Sequence, residues 1–309
     1  MTTSLTVILL THNEELHIGR ALAAIAPIAQ RVVVVDSGST DATVAIAQSH
    51  GATVLHNPWI NYAQQFAWAL DHADITTDWV MRLDADEIIG PDLADEINAK
   101  LPALPADVAG VNLQRRHIFL DKWIKHGGRF PLTLIRIWRT GQGRIEDRWM
   151  DEHMVIWGGR TVTFNGAFSD HNLKDITFFT AKHNGYATRE AIDVLIDKYG
   201  LGDKDDALSA KSASFQASLK RFVKERIYNR MPFYVSTTGY FLYRYIVQLG
   251  FLDGKAGLIY HFLQGYWYRF LVGAKVVEFE HAIAGATTKE ERARILSEVS
   301  GHRITLPAP

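Results

Sequence analysis

Residues Leu5 to Leu10, LTVILL, are apolar apart from Thr6, and three of the six positions are β-branched. A run this short and continuous predicts a strand covered on both faces, the kind that parallel sheets contain. Directly behind it, NEELHIGRALAAIAPIA sets Leu16, Ile18, Leu22, Ile25 and Ile28 near helical spacing, so a helix follows. RVVVVDSGSTDATVAIAQSHG repeats the scheme with a four-valine strand, a small polar turn, and a helix that opens at STD and closes near Gly51. ATVLHN, YAQQFAWALDHA and DWVMRLDADE then supply a third strand, a third helix and a fourth strand. Connections this short predict an α/β architecture, a Rossmann-like doubly wound, mostly parallel sheet.

In such sheets the ligand lies outside the carboxyl ends of the strands. THNEE, DSGSTD and DADE follow the first, second and fourth strands, so three polar loops converge on one rim. From about residue 105 the pattern turns irregular. AGVNLQRRHIFL and LTLIRIWR read as strands, GQGRIEDRWMDEHMVIWGG as a polar loop, and residues 177–199 as a helix. Residues 1–200 therefore form the expected catalytic domain, with a nucleotide-binding half at 1–104 and an acceptor-side half at 105–200. The polar stretch 200–212 reads as a connector. Residues 211–309 form a helical, aromatic-rich C-terminal extension.

Composition narrows the function. The 309 residues carry a formal charge of −1, so no overall basic field points to nucleic acid. Cysteine is absent, which removes disulfides and thiolate metal sites and fits a reducing compartment. The first apolar run has no basic residues before it, so it reads as a strand rather than a secretory signal.

The DADE stretch supports two readings. Acidic groups favour helix N-termini, and GPDLADEINAKL reads as a helix beginning near Pro91. Alternatively, Asp84 and Asp86 at the end of a buried strand hold hard oxygen ligands for Mn²⁺ or Mg²⁺ shared with a nucleotide diphosphate. Asp36 suits a base or ribose, while Ser39 or Thr40 also reads as a plain helix cap. No strand is followed by a dinucleotide fingerprint or a P-loop.

TVILLTHNEELHIGRAL, VVVVDSGSTDAT and DWVMRLDADE, in this order, resemble the start of a family 2 glycosyltransferase of GT-A fold. The chain is similar to bacterial enzymes that build lipopolysaccharide core and exopolysaccharides of the colanic-acid type. The resemblance extends through RWMDEHM, DHNL and KHNGYATREA, and GFLDGKAGLIY with YWYRFLVGAK resembles members acting on lipid-linked acceptors. It implies that Thr11, Asn13, Glu14, Asp36 and Asp84 surround a nucleotide-diphosphate sugar, and that Asp84 and Asp86 are the metal-binding pair. It also implies inversion by direct displacement, for which a carboxylate takes the acceptor proton. Glu146, Asp147, Asp151 and Glu152 are the candidates. Matching the family's loop points to Glu152, with Asp151 second, although His153 follows the pair here where relatives place a His before Glu.

His171 is a candidate further metal ligand or a surface residue. Arg116, Arg129 and Arg136 are candidate phosphate partners or solvated strand positions. Gln65 falls where relatives carry Gln-x-Asn, but Ala67 replaces the Asn. In the tail, Lys211, Lys220, Arg221, Lys224, Arg226 and Arg230 stand against Glu225 alone, and a dense aromatic run follows from Tyr228 to Phe270. Its apolar segments carry Arg244, Gln248, His261 and Arg269, too polar for a bilayer span, so they read as interfacial helices or as a packed lid. The expected enzyme is a peripheral protein on the cytoplasmic, inner face of the cell membrane, using a glycan or polyprenyl-linked acceptor. The rivals are a sugar nucleotidyltransferase, disfavoured by the acidic loop THNEELHIG, and an inactive binding scaffold.

Overall fold

The computed structural model describes residues 3–146, 153–201, 231–304 and 306. It divides into two compact units, Met1–Leu173 and Lys174–Pro309. In the first, β1 (Leu5–Thr11), α1 (Ile18–Ile25), β2 (Arg31–Asp36), α2 (Thr43–Ser49), β3 (Thr53–His56), α3 (Tyr62–His72) and β4 (Trp79–Arg82) alternate as the apolar pattern predicts. They are followed by β5 (Glu87–Ile89), α4 (Pro91–Lys100), β6 (Val108–Phe119), β7 (Lys122–Ile124), β8 (Leu132–Arg139), β9 (Gly143–Ile145), β10 (Met154–Ile156) and β11 (Arg160–His171).

The main sheet has the order β3-β2-β1-β4-β8-β6-β11-β5, with β7 added to β6. β3, β2, β1 and β4 are parallel throughout, so the ends of β1, β2 and β4 share one rim. Beyond β4 the sheet becomes mixed. β8 runs antiparallel to β4 and β6, and β5 antiparallel to β11, while β6 and β11 are parallel. Among the described residues from 105 to 171 there is no helix, and the antiparallel pairs β8 makes with β4 and β6 need no helical crossover.

Both sheet faces are covered. Leu5, Val7, Leu9 and Val34 join Ile18, Leu22 and Ile25 of α1 and Leu93 and Ile97 of α4 in one core. Ile8, Val33, Val35 and Val80 join Phe66 and Ala69 of α3 and Trp138 in the other. Each such side chain contributes about 1.5–3 kcal/mol on full burial. The buried Thr6 hydroxyl pairs with Thr77 at 2.7 Å, which removes the penalty of an unmatched polar group.

The helix expected over residues 13–29 is shorter, because residues 13–17 are drawn into loop contacts described below. The loop expected at residues 141–159 contains the β9–β10 hairpin. Its stem continues past β9 through the Glu146 N–H, which donates to the His153 carbonyl at 2.9 Å.

In the second unit, α5 (Ile176–Tyr199) starts on an Asp175 cap, whose carboxylate accepts the Phe178 N–H at 2.8 Å, and ends at Gly200 with φ +60°. Ala191, Ile192 and Leu195 of α5 form a core with Phe279, Ile283 and Leu296, from the helices Tyr268–Ile283 and Lys289–Ser300. Among the described residues before them, the helix Phe233–Leu242 runs into a π-helical turn at Tyr243–Val247, and Gly254–Tyr260 continues through a second at His261–Trp267. Among the described residues no helix is long and apolar enough to cross a membrane. Polarity is inverted over residues 234–262. Ser236, Thr237, Arg244, Asp253 and His261 are buried, while Tyr234, Leu242, Tyr243, Ile246, Val247, Phe251, Leu252 and Phe262 are exposed.

The seat of α4 gives a direct test of the first core. A Cβ at Gly166 in β11 would lie 2.8 Å from the Leu93 backbone Cα, and the helix would have to move. Gly166→Ala is expected to destabilise the protein by about 1–3 kcal/mol in urea unfolding; an unchanged midpoint would contradict this packing.

Candidate active site

The loop after β2 is organised by Asp36, whose carboxylate is 1% exposed. One oxygen accepts the Thr11 hydroxyl at 3.0 Å and the Ser39 hydroxyl, and the other accepts the Gly38 and Ser39 N–H groups at 2.9 and 2.8 Å. Burial alone would push the Asp36 carboxyl up. The hydrogen bonds from Ser39, Thr11 and Gly38 together hold it below the ordinary carboxylate range.

The loop after β1 is stitched to this one. Asn13, in the left-handed region at φ 54°, accepts the Thr40 N–H at 2.8 Å and donates its own N–H to the Ser39 hydroxyl at 2.9 Å. Glu15 and Asp41 exchange backbone donors, Ala42 to Glu15 and Glu15 to Asp41. It is Asp41, rather than Ser39 or Thr40, that receives the first helical N–H of α2, from Thr43 at 3.0 Å. Glu14 accepts from Nδ1 of the buried His17. The tautomer follows from geometry, since His17 Nε2 accepts the Leu173 N–H at 2.9 Å and the ring proton must sit on Nδ1. The structure thus brings Thr11, Asn13, Glu14 and Asp36 together at the rim.

Asp84 and Asp86 lie on a turn between β4 and β5. The helix-cap reading is replaced, because β5 intervenes and α4 begins only at Pro91, with Gly90 as its cap residue. Asp84 accepts the Tyr62 hydroxyl at 2.6 Å, and Arg82 donates to the same hydroxyl at 2.9 Å while lying 4.2 Å over the Tyr62 ring. The Asp84 N–H donates to Glu87 at 3.0 Å. Glu87 in turn pairs with the buried Arg136, whose guanidinium also lies 3.8 Å from the second Asp84 oxygen. Burial pushes the Glu87 carboxyl up, to about 8, with Asp84 and Asp170 adding to the rise against the pull of Arg136. Asp84 moves the other way. Burial would raise it, but Arg136, Arg82 and the Tyr62 hydroxyl hold it low.

Asp86 accepts from Asn172 at 2.9 Å, and its carbonyl accepts the His171 N–H at 2.9 Å. The His171 ring is directed elsewhere, with Nε2 at 3.0 Å from Asp121 and Nδ1 at 3.5 Å from Arg20. Its observed link to the acidic turn is through the main chain. Gln65 is fully engaged in joining the loops after β2 and β3, through Ser37 and both the side chain and carbonyl of Asn57. Arg136 is a buried ion-pair partner rather than a solvated strand position, and Arg116 lies 3.5 Å from Asp92. Asp147, Asp151 and Glu152 lie outside the described residues, as does the basic segment from Lys211 to Arg230. Glu146 lies in the hairpin stem, 3.5 Å from His153.

The donor set fits a divalent ion shared with a ligand. Two carboxylates sit on a fixed turn at the strand ends, and magnesium-type ions take one or two protein carboxylates and fill their remaining positions from phosphate and water. Among the described residues, no group of three His, Cys, Asp or Glu side chains forms a closed cage. Sequence reasoning did not find Tyr62, Arg82, Glu87, Asn172 or His17. The one available signal was Glu87 itself, an acid at a strand's first position followed by Ile88 and Ile89.

The chain belongs to glycosyl transferase family 2, whose family model matches residues 6–171, and its first unit has the GT-A fold. It is similar to an uncharacterized glycosyltransferase of Rickettsia conorii, 40% identical over 97 residues covering 31% of this chain and 34% of that protein. It is also similar to the lipopolysaccharide core biosynthesis glycosyltransferase LpsC of Rhizobium meliloti, 30% identical over 139 residues covering 43% of this chain and 50% of that one. The matched part thus spans half or less of these relatives' length. Among solved structures, glucosyl-3-phosphoglycerate synthase from Mycobacterium tuberculosis in complex with Mn²⁺, UDP and glucosyl-3-phosphoglycerate is 25% identical, covering 38% of this chain and 44% of that chain at a TM-score of 0.31.

The Asp36 contacts predict a pH-dependent stability. A carboxyl held low in the folded state stabilises above its unfolded value near 4 and loses that contribution as pH falls through the folded value. Asp36→Asn replaces an acceptor with a donor facing N–H groups, so it is expected to lose about 1.5–3 kcal/mol at pH 7. In urea unfolding the gap from wild type should narrow below about pH 4; a gap that stays constant across this range would contradict the assignment.

Proposed function

We propose that this family 2 glycosyltransferase is an inverting, metal-dependent enzyme that moves a sugar from a nucleotide-diphosphate donor to a glycan or lipid-linked acceptor in bacterial cell-surface polysaccharide synthesis. The observation that carries the reading is the Asp84–Asp86 turn, braced by Tyr62, Glu87 and Arg136 at the rim where β1, β2 and β4 end. Similarity to LpsC supports the polysaccharide context. Thr11, Asn13, Glu14 and Asp36 form the neighbouring wall, against which the nucleoside would lie.

Asp84 and Asp86 would hold Mn²⁺ or Mg²⁺, which when bound supplies a Lewis acid for the charge developing on the diphosphate leaving group. His171 fastens the Asp86 side of the turn through its backbone N–H, and Asn172 orients the Asp86 carboxylate. Glu152, with Asp151 as the alternative, would take the proton from the acceptor hydroxyl as its oxygen attacks the anomeric carbon opposite the leaving group. Attack from that side gives inversion.

The second unit supports attachment at the inner face of the membrane. Residues that bury Arg244 against the Tyr240 hydroxyl at 2.7 Å while exposing Leu242, Ile246, Val247, Phe251 and Leu252 suit an apolar surrounding. The sequence just before them, Lys211 to Arg230, adds cationic charge suited to anionic lipid.

Two variants test the chemistry. Asp86→Ala is expected to abolish Mn²⁺-dependent donor binding in calorimetry with the fold intact. Glu152→Gln is expected to keep donor binding while lowering transfer by roughly 10²-fold or more. Equal donor affinity for Asp86→Ala with and without chelator would overturn the metal role, and an active Glu152→Gln beside an inactive Asp151→Asn would move the base one residue back.

Membrane attachment has a separate test. Wild type should sediment with anionic vesicles in a salt-sensitive way, and the paired change Ile246→Glu with Val247→Glu should release it. A wild-type protein that ignores vesicles of every composition would contradict the attachment.

A further inference from the structure

We propose that Arg136 is an internal counter-ion for Asp84, so that the turn takes up a divalent ion together with a diphosphate and discriminates against the bare ion. The inference rests on the reading of Asp84 and Asp86 as the metal-holding pair. Arg136 is 4% exposed and its guanidinium faces two carboxylates, Glu87 by direct ion pair and Asp84 at 3.8 Å. Its Nε and Nη1 are buried and find no hydrogen-bond partner among the described residues. A guanidinium carries five donors and stays charged, and leaving buried donors unmatched is unfavourable. Such a group is not placed for hydrogen bonding alone, and its permanent charge is what reaches Asp84. It packs over the Phe168 ring at 4.9 Å, which holds it in place and keeps water from screening it.

Glu87 offsets part of that charge, while the same guanidinium nitrogen also faces Asp84 at 3.8 Å. Asp170, the next acid along the sheet, already has Arg115 at 3.5 Å and His117 at 3.2 Å. Arg82 donates to the same Tyr62 hydroxyl that Asp84 accepts from and adds a second cation near Asp84. A bare divalent ion approaching the partly exposed Asp84 therefore meets the fixed positive charge of the buried Arg136 at short range. An ion already neutralised by diphosphate meets the same charge as an attraction, since guanidinium favours phosphate oxygen. Arg136 acts here as a positioning and selectivity residue, without contact to reacting atoms.

The test is calorimetry with Mn²⁺ alone and with Mn²⁺ plus inorganic pyrophosphate, probes that need no knowledge of the donor base. Arg136→Met alone leaves Glu87 without its partner, so the paired variant Glu87→Gln with Arg136→Met is measured beside it. The Gln amide oxygen can still accept the Asp84 N–H. The folded neutral variant is expected to bind Mn²⁺ alone on the order of tenfold more tightly than wild type and to lose most of the preference for Mn²⁺ with pyrophosphate. Arg136→Lys, which keeps a cation, should retain the wild-type ratio. An unchanged ratio in the neutral variant, while Asp84→Ala with Asp86→Ala abolishes binding, would overturn the counter-ion role and leave the metal site standing. Binding by Asp84→Ala with Asp86→Ala equal to wild type would remove the metal site itself, and the counter-ion role with it.

Discussion

Arg136 reaches from β8 to Glu87 and to within 3.8 Å of Asp84, and the shape of the acidic turn follows from that one buried cation. Glu87 is buried against the guanidinium, and its other oxygen takes the Asp84 N–H. The turn is fixed from below by charge and from the side by the Tyr62 hydroxyl. Truncating either member of a buried pair typically costs about 3–5 kcal/mol, because the remaining charge has no water to return to. The geometry of the rim is therefore coupled to the integrity of the sheet beneath it.

The first half of the fold was legible because its physics is local. β1 and β2 are continuous apolar runs between polar turns, and β6 and β8 match the strand-like segments read from the sequence. What remained hidden depends on pairing between distant residues. Nothing local in LTLIRIWR separates Arg136, buried against Glu87, from a solvated strand arginine. Tyr62 lies 22 residues before Asp84, in a helix whose periodicity accounts for it as a core residue. The mixed character of the sheet beyond β4 was invisible for the same reason, as strand direction there is set by long-range register.

The site shows a similar division. Asp36, Asp84 and Asp86 were readable as acids at strand ends, where α/β sheets collect ligands. Their supports were not. Asp36 engages both oxygens with Thr11, Gly38 and Ser39, so it shapes the loop after β2. The His171 ring faces Asp121, a residue whose approach no spacing rule would have suggested. In the second unit, inverted polarity appears only once Arg244, Asp253 and His261 are seen to be inside, since in sequence Arg244 and His261 read as interruptions of an apolar stretch.

The turn between β4 and β5 is proposed to hold a divalent ion against a nucleoside diphosphate. Anomalous diffraction from crystals grown with Mn²⁺ and, in turn, UDP, GDP and dTDP tests it most directly. The account predicts a manganese peak between the carboxylates of Asp84 and Asp86, with diphosphate oxygens completing its coordination. A nucleoside diphosphate bound at this rim with manganese located elsewhere, or with none at all, would contradict it.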